Sequence, residues 1–298
     1  MAVESAHRTA ARSSAVYRGA AGASAAQERS DAMKQFHLGV SAGTGARGLA
    51  VLLVLGCAVF CAPAARAQTV DEIIAKNIQA HGGMAKLKSV DTRRSTGKVL
   101  FGTIQATVVQ INKRPDKVRE EASLQGMSLV QVYNGKGAWQ IDPFGGRKDP
   151  MLMSEDDAKG LVIDADIDGL LVDYKQKGSK AELVGHDSVE GTDCYKIKLT
   201  LKDGDIFTYY LDADSFLELK LETKMTIRGA IQENDTYYGD YEEVDGIYYS
   251  FALETAPKGE SNRQKTTVEK VELNPPVADS VFVMPVAKTA PTAPGASR

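Results

Sequence analysis

The chain has 298 residues, and its 36 Lys and Arg side chains against 39 Asp and Glu give a formal net charge of −3. This balance, without any basic patch, argues against a nucleic-acid partner. Only Cys194 of the three cysteines lies after residue 67, so the chain beyond that point is expected to fold without an internal disulfide. We predict that Cys194 is a small, buried apolar side chain.

The first 67 residues predict a leader. Residues 1–32 are rich in Ala, Ser and Arg and carry too few large apolar side chains to offset the entropy of ordering. From Met33 onward, a positive start, an apolar run over 48–62 and the small-x-small triplet Ala65-Arg66-Ala67 have the layout of a secretory signal peptide. We therefore predict translation from Met33, cleavage near Ala67 and an exported protein.

This leader can be interpreted in two other ways. The apolar run could anchor the chain in a membrane, although a spanning helix needs about 20 apolar residues. The stretch ending at Cys57 also resembles a lipoprotein signal with an acylated cysteine, but apolar residues follow it where a polar tether would be expected. The short apolar run and the apolar residues after Cys57 both favour a cleaved leader.

Residues 68–286 are predicted to form one β domain of ordinary size. After residue 67 the chain holds 29 Lys and Arg against 36 Asp and Glu, so this part is acidic. The tail at 287–298 consists mainly of Ala, Pro, Thr and Ser and is predicted to be disordered.

A short helix opens the domain. Thr69 and Glu72 have the spacing of a capping box, in which each satisfies a backbone N–H of the other. His81-Gly82-Gly83 supplies a glycine end for the helix, and a second short turn follows. His81 itself is expected to be a surface residue.

The pattern then changes to alternation of apolar and polar residues. In the stretch 216–227, for example, Leu217, Leu219 and Leu221 alternate with charged residues, which is typical of half-buried strands. Short turns join successive strands without a helix between them, so the sheet is predicted to be antiparallel. The predicted strands are 97–112, 117–123, 128–133, 138–142, 181–185, 194–201, 216–227, 230–238, 246–254 and 266–273.

Residues 154–177 interrupt the strands. Ser154 and the acidic residues after it predict a helix start, and the stretch is strongly apolar. Within it, Asp164, Asp166 and Asp168 precede Gly169 with the spacing that opens an EF-hand calcium loop. Position twelve of that loop requires an acidic residue and is here the cation Lys175, so we predict a bend with no metal.

No motif for nucleophilic, metal-dependent or phosphate-binding catalysis occurs in the chain, so a non-enzymatic protein without a cofactor is expected. A calcium-dependent or hydrolytic protein is accordingly disfavoured.

One block carries a family resemblance. In residues 111–146, one strand ends in Lys113-Arg114-Pro115, another ends before Asn134-Gly135-Lys136, and a later strand carries Trp139 ahead of Pro143-Phe144. With the closing stretch 277–285, this order resembles the LolA/LolB-like carriers of outer-membrane lipoprotein sorting over residues 70–286.

The resemblance implies an unclosed antiparallel β-barrel of about ten to eleven strands, with the N-terminal helix and the helical insert as a lid. It implies a periplasmic protein that shields acyl chains of lipoproteins or lipids, with an inner-membrane release complex and an outer-membrane acceptor as partners. Arg114 matches the family arginine that ties a strand to helix backbone in the lid. The residues expected to line the acyl-chain cavity or lid are Val99, Phe101, Val130, Trp139, Ile141, Leu161, Ile163, Leu170 and Leu171.

The alternative is a periplasmic interaction or sensor protein that uses the same barrel without lipid transfer. Such proteins signal through a second domain, and none is expected after residue 286. For each cavity candidate, ordinary packing in the core is the competing interpretation.

Overall fold

The structure is a computed structural model that describes residues 68–286. The predicted signal peptide at 33–67, the cysteine at position 57 and the predicted tail at 287–298 lie outside the described residues. Among the described residues, no helix is long and apolar enough to cross a membrane.

Two helices open the described chain. Helix α1 (Val70–Ala80) begins with the predicted capping box: the Thr69 hydroxyl accepts from the Glu72 N–H, and the Glu72 carboxylate accepts from the Thr69 N–H. After α1, Gly82 has φ +114°, and a Cβ there would lie 2.2 Å from the Gly246 carbonyl oxygen, so only glycine fits. Helix α2 (Met84–Lys88) follows at once.

The rest of the described chain is one antiparallel sheet of thirteen strands. Their spatial order is β6-β5-β4-β3-β2-β1-β13-β12-β11-β10-β9-β8-β7. The strands are β1 (Thr92–Phe101), β2 (Ile104–Lys113), β3 (Lys117–Leu124), β4 (Met127–Tyr133), β5 (Ala138–Asp142), β6 (Arg147–Leu152), β7 (Lys180–Val189), β8 (Thr192–Thr200), β9 (Ile206–Asp212), β10 (Glu218–Ile227), β11 (Ala230–Val244), β12 (Ile247–Pro257) and β13 (Gln264–Leu273).

The predicted count of ten to eleven strands was too low. The run 97–112 is two strands, because a hairpin turn at Gly102, with φ +59°, folds β1 onto β2. Strand β6 lies at the sheet edge and contains Pro150, which weakens its strand pattern. Strand β9 buries three consecutive residues, Tyr209 to Leu211, so it shows no alternation.

The sheet is not closed, because its edge strands β6 and β7 are not paired to each other. Residues 153–179 connect these two edges and include helix α3 (Glu155–Asp164), which begins at the predicted cap Ser154. On one side, Leu161 packs against Val118 of β3. On the other side, the Lys159 ammonium lies 2.9 Å from the Asp205 carboxylate beside β9, so α3 contacts both parts of the sheet.

Two of the four apolar clusters among the described residues lie against the sheet as follows. Helix α1 packs against β8–β10, and the buried residues of this cluster are Ile73, Ile74, Leu171, Tyr174, Ile197, Leu199, Phe207, Tyr209 and Leu211. A second cluster lies between β4, β5 and the C-terminal segment, where a 3-10 turn (Asp279–Phe282) places Phe282 against Trp139. Cys194 is fully buried, as predicted, and no disulfide joins the described residues.

Candidate functional site

Two adjoining cavities lie between the concave face of the sheet and segment 153–179. The larger, cavity A, has a volume of ≈ 650 Å³, and the second, cavity B, has a volume of ≈ 580 Å³. Both volumes are typical of ligand-binding sites. The residues that line both cavities are Arg93, Gln110, Asp164, Tyr238, Tyr249 and Leu253.

Much of cavity A is apolar. Its walls come from α1, from the turns after α3 and from strands β9, β10 and β12. The aliphatic and Phe side chains are Ile78, Leu87, Ile163, Ile167, Leu170, Leu171, Val172, Phe207, Leu221, Met225, Ile247 and Leu253. This surface can shield hydrocarbon from water, which stabilises a bound chain by about 0.8 kcal/mol per buried methylene.

An ion pair lies at one end of cavity A. The Nε2 atom of His81 is 2.7 Å from the Glu218 carboxylate, which also accepts hydrogen bonds from Asn77 and Tyr241. Burial opposes the charge on His81, but Glu218 and the carbonyl of Tyr248 outweigh it and raise the pKa of His81 to about 9. The same pair lowers the pKa of Glu218 to about 2, against the effect of burial.

A polar group lies where the two cavities meet. Asn112 is fully buried and donates to the backbone carbonyl of Asp164 at 2.6 Å, which fixes the end of α3 against β2. Arg93 donates to the Asn112 side-chain oxygen at 3.0 Å. Burial and the charge of Glu120 raise the pKa of Asp164 to about 7, while Arg93 acts in the opposite direction.

Arg114 connects segment 153–179 to α2. Its Nε atom donates to the Val90 carbonyl at 2.7 Å and its Nη2 atom to the Leu87 carbonyl at 2.9 Å. Its Nη1 atom donates to the Asp168 carboxylate at 2.8 Å. The sequence did not predict the contact with Asp168, because no local pattern joins positions 54 residues apart.

The three aspartates of the calcium-like motif have separate roles. Asp164 ends α3, Asp166 pairs with Lys177, and Asp168 pairs with Arg114 and Lys88. Although burial opposes ionisation, the hydrogen bonds from Arg114 and Lys88 lower the pKa of Asp168 to about 2. Within residues 68–286, no group of three or more potential ligands is arranged to hold a metal ion.

The structure places five of the nine predicted cavity residues in or beside the cavities. Ile163, Leu170 and Leu171 line cavity A, and Val99 lines cavity B. Ile163 and Leu170 also line a further cavity of ≈ 500 Å³ on the other side of α3. Leu161 packs α3 onto the sheet beside these cavities.

The other four lie elsewhere. Val130, Trp139 and Ile141 pack against Phe282, and their neighbours along β4, Leu129 and Gln131, line cavity B instead. Successive residues of a strand point to opposite faces of the sheet. The three predicted residues lie on the more apolar face, which the C-terminal segment covers.

Phe101 lies at the tip of the β1–β2 hairpin and is 52% exposed. It lines none of the three cavities described above. The residues that sequence reasoning missed are the polar ones: Arg93, Gln110, Glu120 and Glu218. They carry no signal in the sequence, since charged residues at alternate strand positions are ordinary on a solvated face.

Comparisons with known proteins give a structural match. No protein-family model matches the sequence, and no curated protein matches it. Among solved structures, a LolA superfamily protein from Nitrosomonas europaea has a TM-score of 0.51 and 13% identity, covering 73% of this chain and 98% of that chain. The fold is LolA-like.

A DUF1329 family protein from Desulfovibrio piger has a TM-score of 0.52 and 12% identity, covering 72% of this chain and 98% of that chain. At these identities the likeness concerns the fold alone. It confirms the resemblance predicted from the sequence, and the LolA-like sheet is the frame in which cavities A and B are formed.

Proposed function

We propose that this protein is an exported, periplasmic carrier that shields the acyl chains of lipoproteins or lipids, in outer-membrane lipoprotein sorting. The observation that carries this proposal is cavity A, a largely apolar space of ≈ 650 Å³ on the concave face of a LolA-like sheet. The chemistry is binding and release, so the protein acts without turnover and without a cofactor.

In this proposal, segment 153–179 is the lid of the cavity. It joins the two unpaired sheet edges and lines cavity A through Ile163, Leu170 and Leu171. Arg114 is the latch, because its three contacts tie the turn after α3 to the carbonyls at the end of α2. An entering chain would displace these contacts, and an inner-membrane release complex and an outer-membrane acceptor would load and unload the carrier.

Native mass spectrometry of the protein purified from a periplasm, followed by lipid extraction, tests this function. We expect an adduct that carries acyl chains. Leu170→Asp should remove the adduct, because this half-buried side chain lines cavity A. Val184→Asp is the matched control, since Val184 is 57% exposed on the edge strand β7. An apo mass that no added lipid or lipopeptide shifts would contradict the proposal.

A further inference from the structure

We propose that the junction of cavities A and B binds a protonated amine carried at the head of an acylated ligand. This inference rests on the proposed carrier function and names the polar group that the carrier recognises. The site consists of the Asp164 and Glu120 carboxylates together with Tyr209 and Tyr238, beside Tyr249, whose ring already faces the Arg93 guanidinium at 5.7 Å.

At pH 8, above the pKa of about 7 for Asp164, the charges around the two cavities leave one negative charge without a partner. The other acidic residues of the lining each form an ion pair: Asp166 with Lys177, Asp168 with Arg114 and Lys88, Glu218 with His81, and Glu121 with Arg119. Arg93 is the only Lys or Arg in the described lining of cavities A and B, and its guanidinium donates to Gln110 and Asn112 instead of to Asp164 or Glu120. Two carboxylates against one cation match a ligand with one positive charge.

Arg93 does not neutralise Asp164 directly. Its guanidinium donates to Asn112 and Gln110, and among residues 68–286 the Asp164 carboxylate accepts no hydrogen bond and forms no ion pair. Gln110 in turn donates to Glu120 at 2.8 Å. The Asp164 side chain lines both cavities, while its backbone carbonyl is held by Asn112. The fixed end of α3 therefore presents a carboxylate that can accept a hydrogen bond from a ligand N–H.

The tyrosines supply a second, independent indication of a ligand. Tyr209 is 8% exposed and lines cavity A, yet its hydroxyl makes no hydrogen bond to any other described residue. Since this hydroxyl lies on the cavity wall without a protein partner, it is available to a ligand or to water. Tyr238 lies with Asp164 in the lining that both cavities share. Aromatic faces beside carboxylates attract ammonium groups.

Other head groups fit this site less well. A phosphate or carboxylate would enter a lining that already holds negative charge, and the only Lys or Arg of that lining, Arg93, offers it the buried Nε atom, which has no partner among the described residues. A neutral alcohol would leave the carboxylates uncompensated. A protonated amine donates up to three hydrogen bonds and brings the missing charge, so it satisfies Asp164, Glu120 and a tyrosine hydroxyl together.

The test is calorimetric titration of the full exported protein at pH 8 with dodecylamine, dodecanol and laurate, each below its aggregation concentration. We expect dodecylamine to bind at least about tenfold more tightly than the other two, which is the effect of one charge-assisted hydrogen bond. Asp164→Asn and Glu120→Gln should each remove most of this preference through loss of dodecylamine affinity. Glu182→Gln, which removes an exposed carboxylate of β7, is the matched control.

Each outcome decides the inference. Equal affinities for the three probes, unchanged in Asp164→Asn, would overturn the amine site and leave the carrier function intact. If none of the three probes binds, both proposals are wrong. A second pair of titrations separates the sources of the amine: an acylated peptide with a free N-terminus against its N-acetyl form, and phosphatidylethanolamine against phosphatidylglycerol of the same chains. Tighter binding of the member with the free amine within either pair supports the site. Equal affinities within both pairs overturn it.

Discussion

The two faces of strands β3 to β5 show opposite chemistry. On the outer face, Val130, Val132 and Trp139 pack against Phe282 and are almost fully buried. On the cavity face, Glu120 and Gln131 alternate with them in the same strands and line cavity B. The more apolar face is therefore the one that the chain itself covers, while the face that borders open space carries polar side chains.

This difference follows from the environment of each face. An apolar surface without a partner is unfavourable in water, so the C-terminal segment covers the outer face permanently. A cavity that is sometimes empty holds water, and polar groups with hydrogen-bond partners, such as Gln131 with Gln140 at 3.1 Å, keep that state stable. The apolar chains that suit an acyl group are instead concentrated in cavity A.

The largest expected effect comes from disrupting the packing of Trp139 against Phe282 on the outer face. Trp139 is 2% exposed and donates to the Phe282 carbonyl at 3.1 Å, so Trp139→Ala removes both a large buried ring and a hydrogen bond. We expect the free energy of unfolding to fall by about 3–5 kcal/mol, measured by urea denaturation.

The matching change on the cavity face is Tyr238→Phe, which removes one hydroxyl from the cavity lining. It should change the free energy of unfolding by less than about 0.5 kcal/mol. Dodecanol affinity, measured on the folded fraction, should be unchanged in Trp139→Ala. Loss of dodecanol binding in that variant, with its sheet intact by circular dichroism, would show that the two faces are not independent.

The same contrast explains what the sequence could predict. Alternation located most strands and the capping box located α1, because both depend on residues close together in the chain. The choice of face failed at Val130 and Trp139, because the cover of the outer face comes from Phe282, more than 140 residues away. The open sheet and the helix across it followed only from the family resemblance.

The candidate site was predictable only in its apolar part. Ile163, Leu170 and Leu171 stand out as an apolar run, whereas Arg93 and Glu120 resemble solvated strand residues until the sheet brings them together. His81 was expected on the surface. Its pairing with Glu218 depends on contact between α1 and β10, which no local pattern reveals.

A middle-sized effect is expected at Arg114. Its side chain is 24% exposed, that of its partner Asp168 is 5% exposed, and Arg114→Ala also removes the hydrogen bonds to the Val90 and Leu87 carbonyls. We expect a loss of about 2–3 kcal/mol in unfolding free energy and faster amide exchange in 165–178 than in β8 and β9. Arg114→Lys should recover only part of the lost unfolding free energy, because the lysine ammonium lacks the planar set of donors that a guanidinium offers.

Arg263→Ala provides the control for this change, since Arg263 is exposed to a similar extent but pairs with Glu190 and Glu254, outside segment 153–179. That variant should lose less than about 1 kcal/mol and leave exchange in 165–178 unchanged. Equal exchange of 165–178 in Arg114→Ala and in the unmodified protein would rule out the latch role.

The smallest of the three effects is pH-dependent and tests the ion pair at the end of cavity A. The folded pKa of His81, about 9, lies above its usual value of 6.5, so its stabilisation is complete below pH 6.5 and is lost as the pH rises through 9. Glu218 has a folded pKa of about 2, below its usual 4.5, so its contribution is complete above pH 4.5 and is lost as the pH falls through 2. The pair therefore stabilises the fold most between pH 4.5 and 6.5.

His81→Gln should lower the unfolding free energy by about 2 kcal/mol at pH 6, because Glu218 keeps its hydrogen bonds from Asn77 and Tyr241 but loses its cation. The difference from the unmodified protein should shrink toward pH 10, where His81 is neutral. His186→Gln, at a surface histidine that contacts Tyr195, should show no such trend. A His81→Gln deficit that stays constant from pH 6 to pH 10 would mean that packing, and not charge, holds α1 against β10.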